Sequence, residues 1–176
     1  MSMFCYQCEQ TAQGTGCTAH GVCGKDPETA ALQDLLLYVA KGISVYANRL
    51  RGMGHIDRDT GVFVTEALFT TVTNVNFDPK RLQTILHKSA EMRERIKKLY
   101  EDTCREMGQS PARLAGSWIP GPTLNELIRQ GEAVGVEARI GRLGGDLAGL
   151  QELLTYGLKG IAAYADHAMV LGVEDD

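Results

Sequence analysis

The chain has 176 residues, 44% of them hydrophobic, with 18 Lys and Arg against 22 Asp and Glu for a formal net charge of −4. That length can bury roughly 70% of its unfolded surface in one domain or two small ones, and the acidic balance disfavours a nucleic-acid binder, which needs a basic face. No apolar run approaches the ~20 residues of a membrane span, and the opening Met-Ser-Met-Phe-Cys lacks the basic-then-apolar order of a secretory signal, so a cytoplasmic protein is expected.

Four of the five cysteines fall within the first 23 residues, as Cys5-x2-Cys8-x8-Cys17-x5-Cys23. Thiolates are soft ligands, and four from one short loop suit an iron–sulfur cluster or zinc. An odd cysteine count with this clustering favours metal binding over a disulfide framework. Gly14, Gly16, Gly21 and Gly24 punctuate the loop, as a backbone turning tightly about an inorganic core requires. Structural zinc sites usually pair two short C-x2–4-C knuckles, and only Cys5-x2-Cys8 has that form.

Asp26-Pro27-Glu28 carries a cap, a first-turn proline and an acidic residue, which together start a helix. Leu32, Leu35, Leu36, Val39, Ile43, Tyr46 and Leu50 give that helix one apolar stripe, and Gly52 and Gly54 end it. A second helix is expected from Asp57 or Asp59, with Val64, Leu68, Val72 and Val75 inward, although its Thr and Val content also suits a strand. Asp78-Pro79 opens a long third helix with Leu82, Leu86, Ile96, Leu99 and Tyr100 inward, closed by Gly108. Its Glu91, Arg93, Glu94, Arg95, Lys97 and Lys98 read as a solvated face, with Glu91–Arg95 and Glu94–Lys98 at four-residue spacing.

Residues 109–145 read as a linker with one short helix. Trp118 is expected to fill a gap between helices. Thr123-x-x-Glu126 has capping-box form and opens the short helix, which ends near Gly135. Gly141, Gly144 and Gly145 mark an irregular stretch before a last helix that runs from Asp146 or Leu147 to Gly172.

That last helix repeats the first. Leu150-Gln-Glu-Leu-Leu-Thr-Tyr-Gly-Leu-Lys-Gly-Ile-Ala-Ala-Tyr-Ala matches Leu32-Gln-Asp-Leu-Leu-Leu-Tyr-Val-Ala-Lys-Gly-Ile-Ser-Val-Tyr-Ala without a gap, and Gly54 and Gly172 close both at one register. Shared Gln, Lys, Gly and Tyr go beyond apolar periodicity and indicate an internal duplication. Tyr46 and Tyr164 are expected to share a packing role. The expected architecture is all-α: a cysteine loop (1–25), a three-helix bundle (26–108), the linker, and the first helix of a second, incomplete bundle (146–176). An amphipathic helix without partners leaves an apolar face in water, so self-association, further domains or a second subunit are expected there.

The cysteine spacing, with Gly24-Lys25 and the two Leu-Gln-acidic-Leu-Leu helices, resembles the N-terminus of the hybrid cluster (prismane, or hydroxylamine reductase) family across essentially the whole chain. The resemblance implies a [4Fe-4S] cluster held by Cys5, Cys8, Cys17 and Cys23 and single-electron transfer to a hybrid iron–sulfur–oxygen cluster in later domains. It implies a redox donor protein as partner. The hybrid site needs further cysteines with His and Glu ligands, and the one other cysteine is Cys104, expected to be a packed thiol. No catalytic residue is therefore assigned, and this chain alone is expected not to turn over hydroxylamine. The competing expectations are a free-standing ferredoxin-like carrier and a non-redox zinc module. Tyr6, Gln7 and His20 lie in the loop as candidates to support such a centre around its ligands, and His20 reads as solvated. His55, His87 and His167 show no ligand spacing, and no Ser-His-Asp set, P-loop or dinucleotide fingerprint occurs.

Overall fold

The computed structural model describes residues 3–112, 114 and 118–173. The first two residues of the cysteine segment, four residues of the segment read as a linker, and residues 174–176 of the last segment lie outside them. The fold is all-α: α1 (Pro27–Gly52), α2 (Arg58–Thr70), α3 (Pro79–Glu106), α4 (Leu124–Val134), α5 (Val136–Leu143) and α6 (Gly145–Val170) follow the cysteine loop. Among the described residues the β-structure is one isolated bridge in that loop.

The caps fall where the sequence places them. Asp26 Oδ1 accepts the Thr29 N–H at 2.7 Å, Asp78 accepts the N–H groups of Lys80 and Arg81, and Thr123 and Glu126 close a reciprocal capping box. Each such cap contributes about 1 kcal/mol. α1 is the central helix, packed against α2, α3 and α4. Leu32, Leu35, Leu36, Val39, Ile43 and Leu50 are at most 1% exposed and meet Leu82, Leu86, Ile96, Leu127 and Ile128 in one core.

Several expectations change. α2 ends at Thr70 and turns Thr60, Phe63 and Ala67 inward, while Val64 and Leu68 are half-buried and Val75 is exposed. The mixed Thr and Val run hid the frame that the Asp57 cap sets by accepting the Thr60 N–H. Arg93 is buried, not solvated: its Nη1 donates to the Trp118 carbonyl at 2.6 Å. Arg95 reaches back to the Asp57 carboxylate at 2.5 Å rather than to Glu91, and Glu94 pairs with Lys97 at 3.8 Å. Trp118, by contrast, is buried in the core as expected, with Nε1 donating to Gln130 Oε1. The glycine-rich stretch before α6 is helical as α5, anchored by Arg139.

α1 and α6 end alike. Gly54 and Gly172 have φ of 81° and 70°, and His55 N–H→Leu50 O and Val173 N–H→Ala168 O close equivalent rings at 2.9 Å. The two helices bury different sides, however, apart from positions such as Ala30 and Ala148 that are buried in both. α6 buries Ala148, Glu152, Thr155, Lys159 and Ala162, while Leu150, Leu153, Leu154 and Ile161 are each at least 65% exposed. Tyr46 packs edge-on against Tyr100, whereas Tyr164 is exposed, so these two do not share a packing role.

Candidate metal centre

The cysteine loop is closed by its own backbone. Cys5 and Cys17 form an antiparallel bridge, Cys5 N–H donating to Cys17 O at 3.1 Å and Cys17 N–H to Cys5 O at 2.8 Å. The Thr11 N–H and hydroxyl both reach the Cys8 carbonyl, folding the chain after the second cysteine. Around Cys23, Gly24 N–H donates to Gly21 O and Gly21 N–H to Lys25 O. Of the loop glycines, Gly14 and Gly24 have positive φ, while Gly16 and Gly21 are needed for room. A Cβ at Gly16 would lie 2.6 Å from the Phe4 ring, and one at Gly21 3.0 Å from Cys23 Sγ.

All five cysteines are free thiols. Cys17 is buried, and Cys5, Cys8 and Cys23 are half-buried. The Ala12 and Val22 N–H groups bond to Cys17 Sγ and hold its thiol below the ordinary range, which favours the ligating thiolate. The structure brings Cys5 and Cys17 together and sets Cys8 and Cys23 on the same loop. Among the described residues no three Cys, His, Asp or Glu side chains close on one metal ion. Four unpaired thiols on one loop, one bonded by backbone N–H groups, nonetheless fit the donor chemistry of an iron–sulfur cluster. Cys104 is buried in the core, and His20 is exposed.

The loop rests on the polar face of α6. Tyr6 meets Tyr156 edge-on at 6.0 Å and Phe4 at 5.1 Å. Gln7, between the first two cysteines, accepts from Lys159 Nζ through Oε1 and donates to Thr73 Oγ1 at 2.7 Å. Lys159 also donates to the Thr71 carbonyl at 3.2 Å. Behind it, Arg139 Nη2 donates to Glu152 Oε1 at 2.5 Å, with side chains 9% and 2% exposed. Cys5, Gln7, Lys25, Asp34, Glu152 and Lys159 line one small cavity.

Burial governs the charges here. It pushes the Asp34 carboxyl up to about 6, against the pull of Arg139 and Lys159. It pushes Lys159 down to about 8, helped by Lys25 and opposed by Asp34, Cys5 and Glu152. Burial and the Glu152 carboxylate push the Tyr156 phenol up. Sequence reasoning missed Lys159, Glu152, Arg139 and Asp34. The signal was present in the repeat: Lys159 and Glu152 correspond to Lys41 and Asp34, polar positions kept in both copies.

The Prismane/CO dehydrogenase family model matches residues 3–176. The chain is 50% identical over 176 residues to a hydroxylamine reductase of Rhodospirillum rubrum, covering 99% of this chain and 32% of that protein. It is 48% identical over 180 residues to the hydroxylamine reductases of Acidithiobacillus ferrooxidans and Geobacter sulfurreducens, again covering 32% of each. It thus spans about a third of the length of the curated relatives it matches. The chain belongs to the Prismane/CO dehydrogenase family.

Proposed function

We propose that this chain is the electron-entry domain of a hydroxylamine reductase-like protein of the cytoplasm. Cys5, Cys8, Cys17 and Cys23 would hold a [4Fe-4S] cluster, which supplies one-electron transfer when bound. The carrying observation is the loop itself: four free thiols, a backbone bridge joining Cys5 to Cys17, and N–H groups bonded to Cys17 Sγ. Relatives named hydroxylamine reductase, matched across nearly all of this chain, support the same reading. The chain's own residues bind and orient: Gln7 is clamped between Lys159 and Thr73, the Phe4 ring packs against Gly16, and the Tyr6 ring joins it to Tyr156 of α6.

The substrate centre would belong to further domains or a second subunit, which would also cover the apolar face of α6. A redox protein would be the donor. No helix among the described residues is long and apolar enough to cross a membrane. Anaerobic reconstitution with iron and sulfide tests the reading. It should give equal iron and sulfide, a visible band that bleaches with dithionite, and an EPR signal from the reduced protein; Cys8→Ser should lose all three. Stoichiometric zinc and no iron uptake would refute the cluster, and steady hydroxylamine reduction by the pure 176-residue protein would refute the missing reaction centre.

A further inference from the structure

We propose that Lys159 is a positioning residue for the cluster loop: it holds the Cys5–Cys8 turn through Gln7 and supplies a buried positive charge that favours electron uptake there. The inference rests on the cluster reading above and goes beyond it by assigning the control of potential to a residue of α6.

Lys159 is 5% exposed, and two of its N–H donors go to Gln7 Oε1 and the Thr71 carbonyl. Gln7 is the residue immediately before the ligand Cys8 and two after Cys5, so the ammonium is tied to the ligand turn itself. Through Thr73 and Thr71 the same clamp fixes the turn to the segment after α2. Nothing in packing alone calls for a lysine at this point, since an ammonium withdrawn from water costs free energy unless negative charge faces it.

Negative charge does face it. Cys5, Asp34 and Glu152 line the cavity with Lys159, and Lys25 is the second cation there. Glu152 is already bonded to Arg139, so its charge is largely answered. The Tyr156 ring lies 5.6 Å from Lys159 Nζ and the Phe77 ring 5.9 Å from Lys25 Nζ, and the one carboxylate left in the cavity to balance the two ammonium groups is Asp34. A [4Fe-4S] cluster with four thiolates would add the missing anion, and one more electron would deepen it. At an effective dielectric constant near 20, a unit charge within about 12 Å shifts a one-electron equilibrium by roughly tenfold or more.

The test compares the wild-type 176-residue protein with Lys159→Met, Lys159→Gln and Lys159→Arg after anaerobic reconstitution. Iron content and the midpoint potential, from EPR-monitored titration, are the readouts. Met and Gln should lower the reduced-to-oxidised ratio at fixed potential about tenfold, equivalent to about 59 mV for one electron, while Arg stays near wild type. Loss of iron from Met and Gln but not Arg also supports the assignment, through the clamp. An unchanged potential in iron-loaded Met or Gln variants overturns it. So does equal damage in all three, Arg included. A wild-type protein that takes up no iron would sink the cluster reading instead, which keeps the two failures apart.

Discussion

Gly131 lies inside α4, where helix propensity and tertiary packing predict opposite effects of replacing it with alanine. Propensity favours Ala over Gly by about 1 kcal/mol in a helix interior. A Cβ at Gly131 would sit 2.0 Å from the Ala31 carbonyl oxygen and 2.5 Å from its carbon, in the backbone of α1. Neither atom can swing aside, so α4 must retreat by roughly 1 Å. A gap of that size forfeits a quarter to a half of the dispersion energy across the contact. α4 is held mainly by Leu127 and Ile128, which are 0% and 1% exposed, and burial stabilises each by about 1.5–3 kcal/mol. The loss of about 1–3 kcal/mol, with strain in the retreating helix, outweighs the propensity gain. Gly131→Ala should therefore destabilise by about 2 kcal/mol in equilibrium urea unfolding followed by far-UV circular dichroism. Gly160→Ala in α6, where nothing lies within 4 Å of the added carbon, is the control and should stabilise by up to about 1 kcal/mol. A Gly131→Ala protein as stable as wild type, beside a stabilised control, would refute the argument from close approach.

Three further outcomes are expected. Arg139→Met strands the Glu152 carboxylate in a buried site and should cost about 3–5 kcal/mol in urea unfolding, most of it recovered in the double variant Arg139→Met/Glu152→Met. The Asp34 carboxyl binds its proton more tightly in the native state than the unfolded chain does, so stability should fall as pH rises from about 4 to about 6. Asp34→Asn should remove that slope and exceed wild type by about 2–3 kcal/mol at pH 7.5, read from urea midpoints at pH 5 and 7.5. Leu36→Ala should cost about 2–5 kcal/mol, whereas Leu154→Ala, at the equivalent repeat position but 66% exposed, should stay within about 0.5 kcal/mol of wild type in the same assay.

The parts of the fold legible in the sequence are those with local causes. Asp26, Asp78 and the Thr123–Glu126 box announce helix starts because capping needs residues two or three apart. Gly54 and Gly172 announce ends because a positive φ is a property of one residue. The apolar stripe of α1 is legible because its partners lie in the same chain. The frame of α2 was not, since Thr60 and Phe63 face inward only once Asp57 has fixed the first turn. Arg93 was misassigned because its partner, the Trp118 carbonyl, lies 25 residues away and is backbone. At the candidate centre the four cysteines stood out by spacing, but Lys159 did not. The repeat marked the Leu-rich side of α6 as an apolar face without partners, but nothing local in the sequence says that the opposite, polar side carries the loop.

The Cys5–Cys17 bridge carries a consequence for how the protein is made. Its bonds span twelve residues and close on the timescale of a short loop, on the order of 10–100 ns. The tie from Gln7 to Thr73 spans 66 residues and the tie to Lys159 spans 152. At about 5–20 residues per second, roughly 8–30 s of translation separate the two ends of that longest tie. The cysteine loop can thus take shape on the ribosome well before Lys159 leaves the exit tunnel, so the two long ties through Gln7 would close on a loop that is already folded.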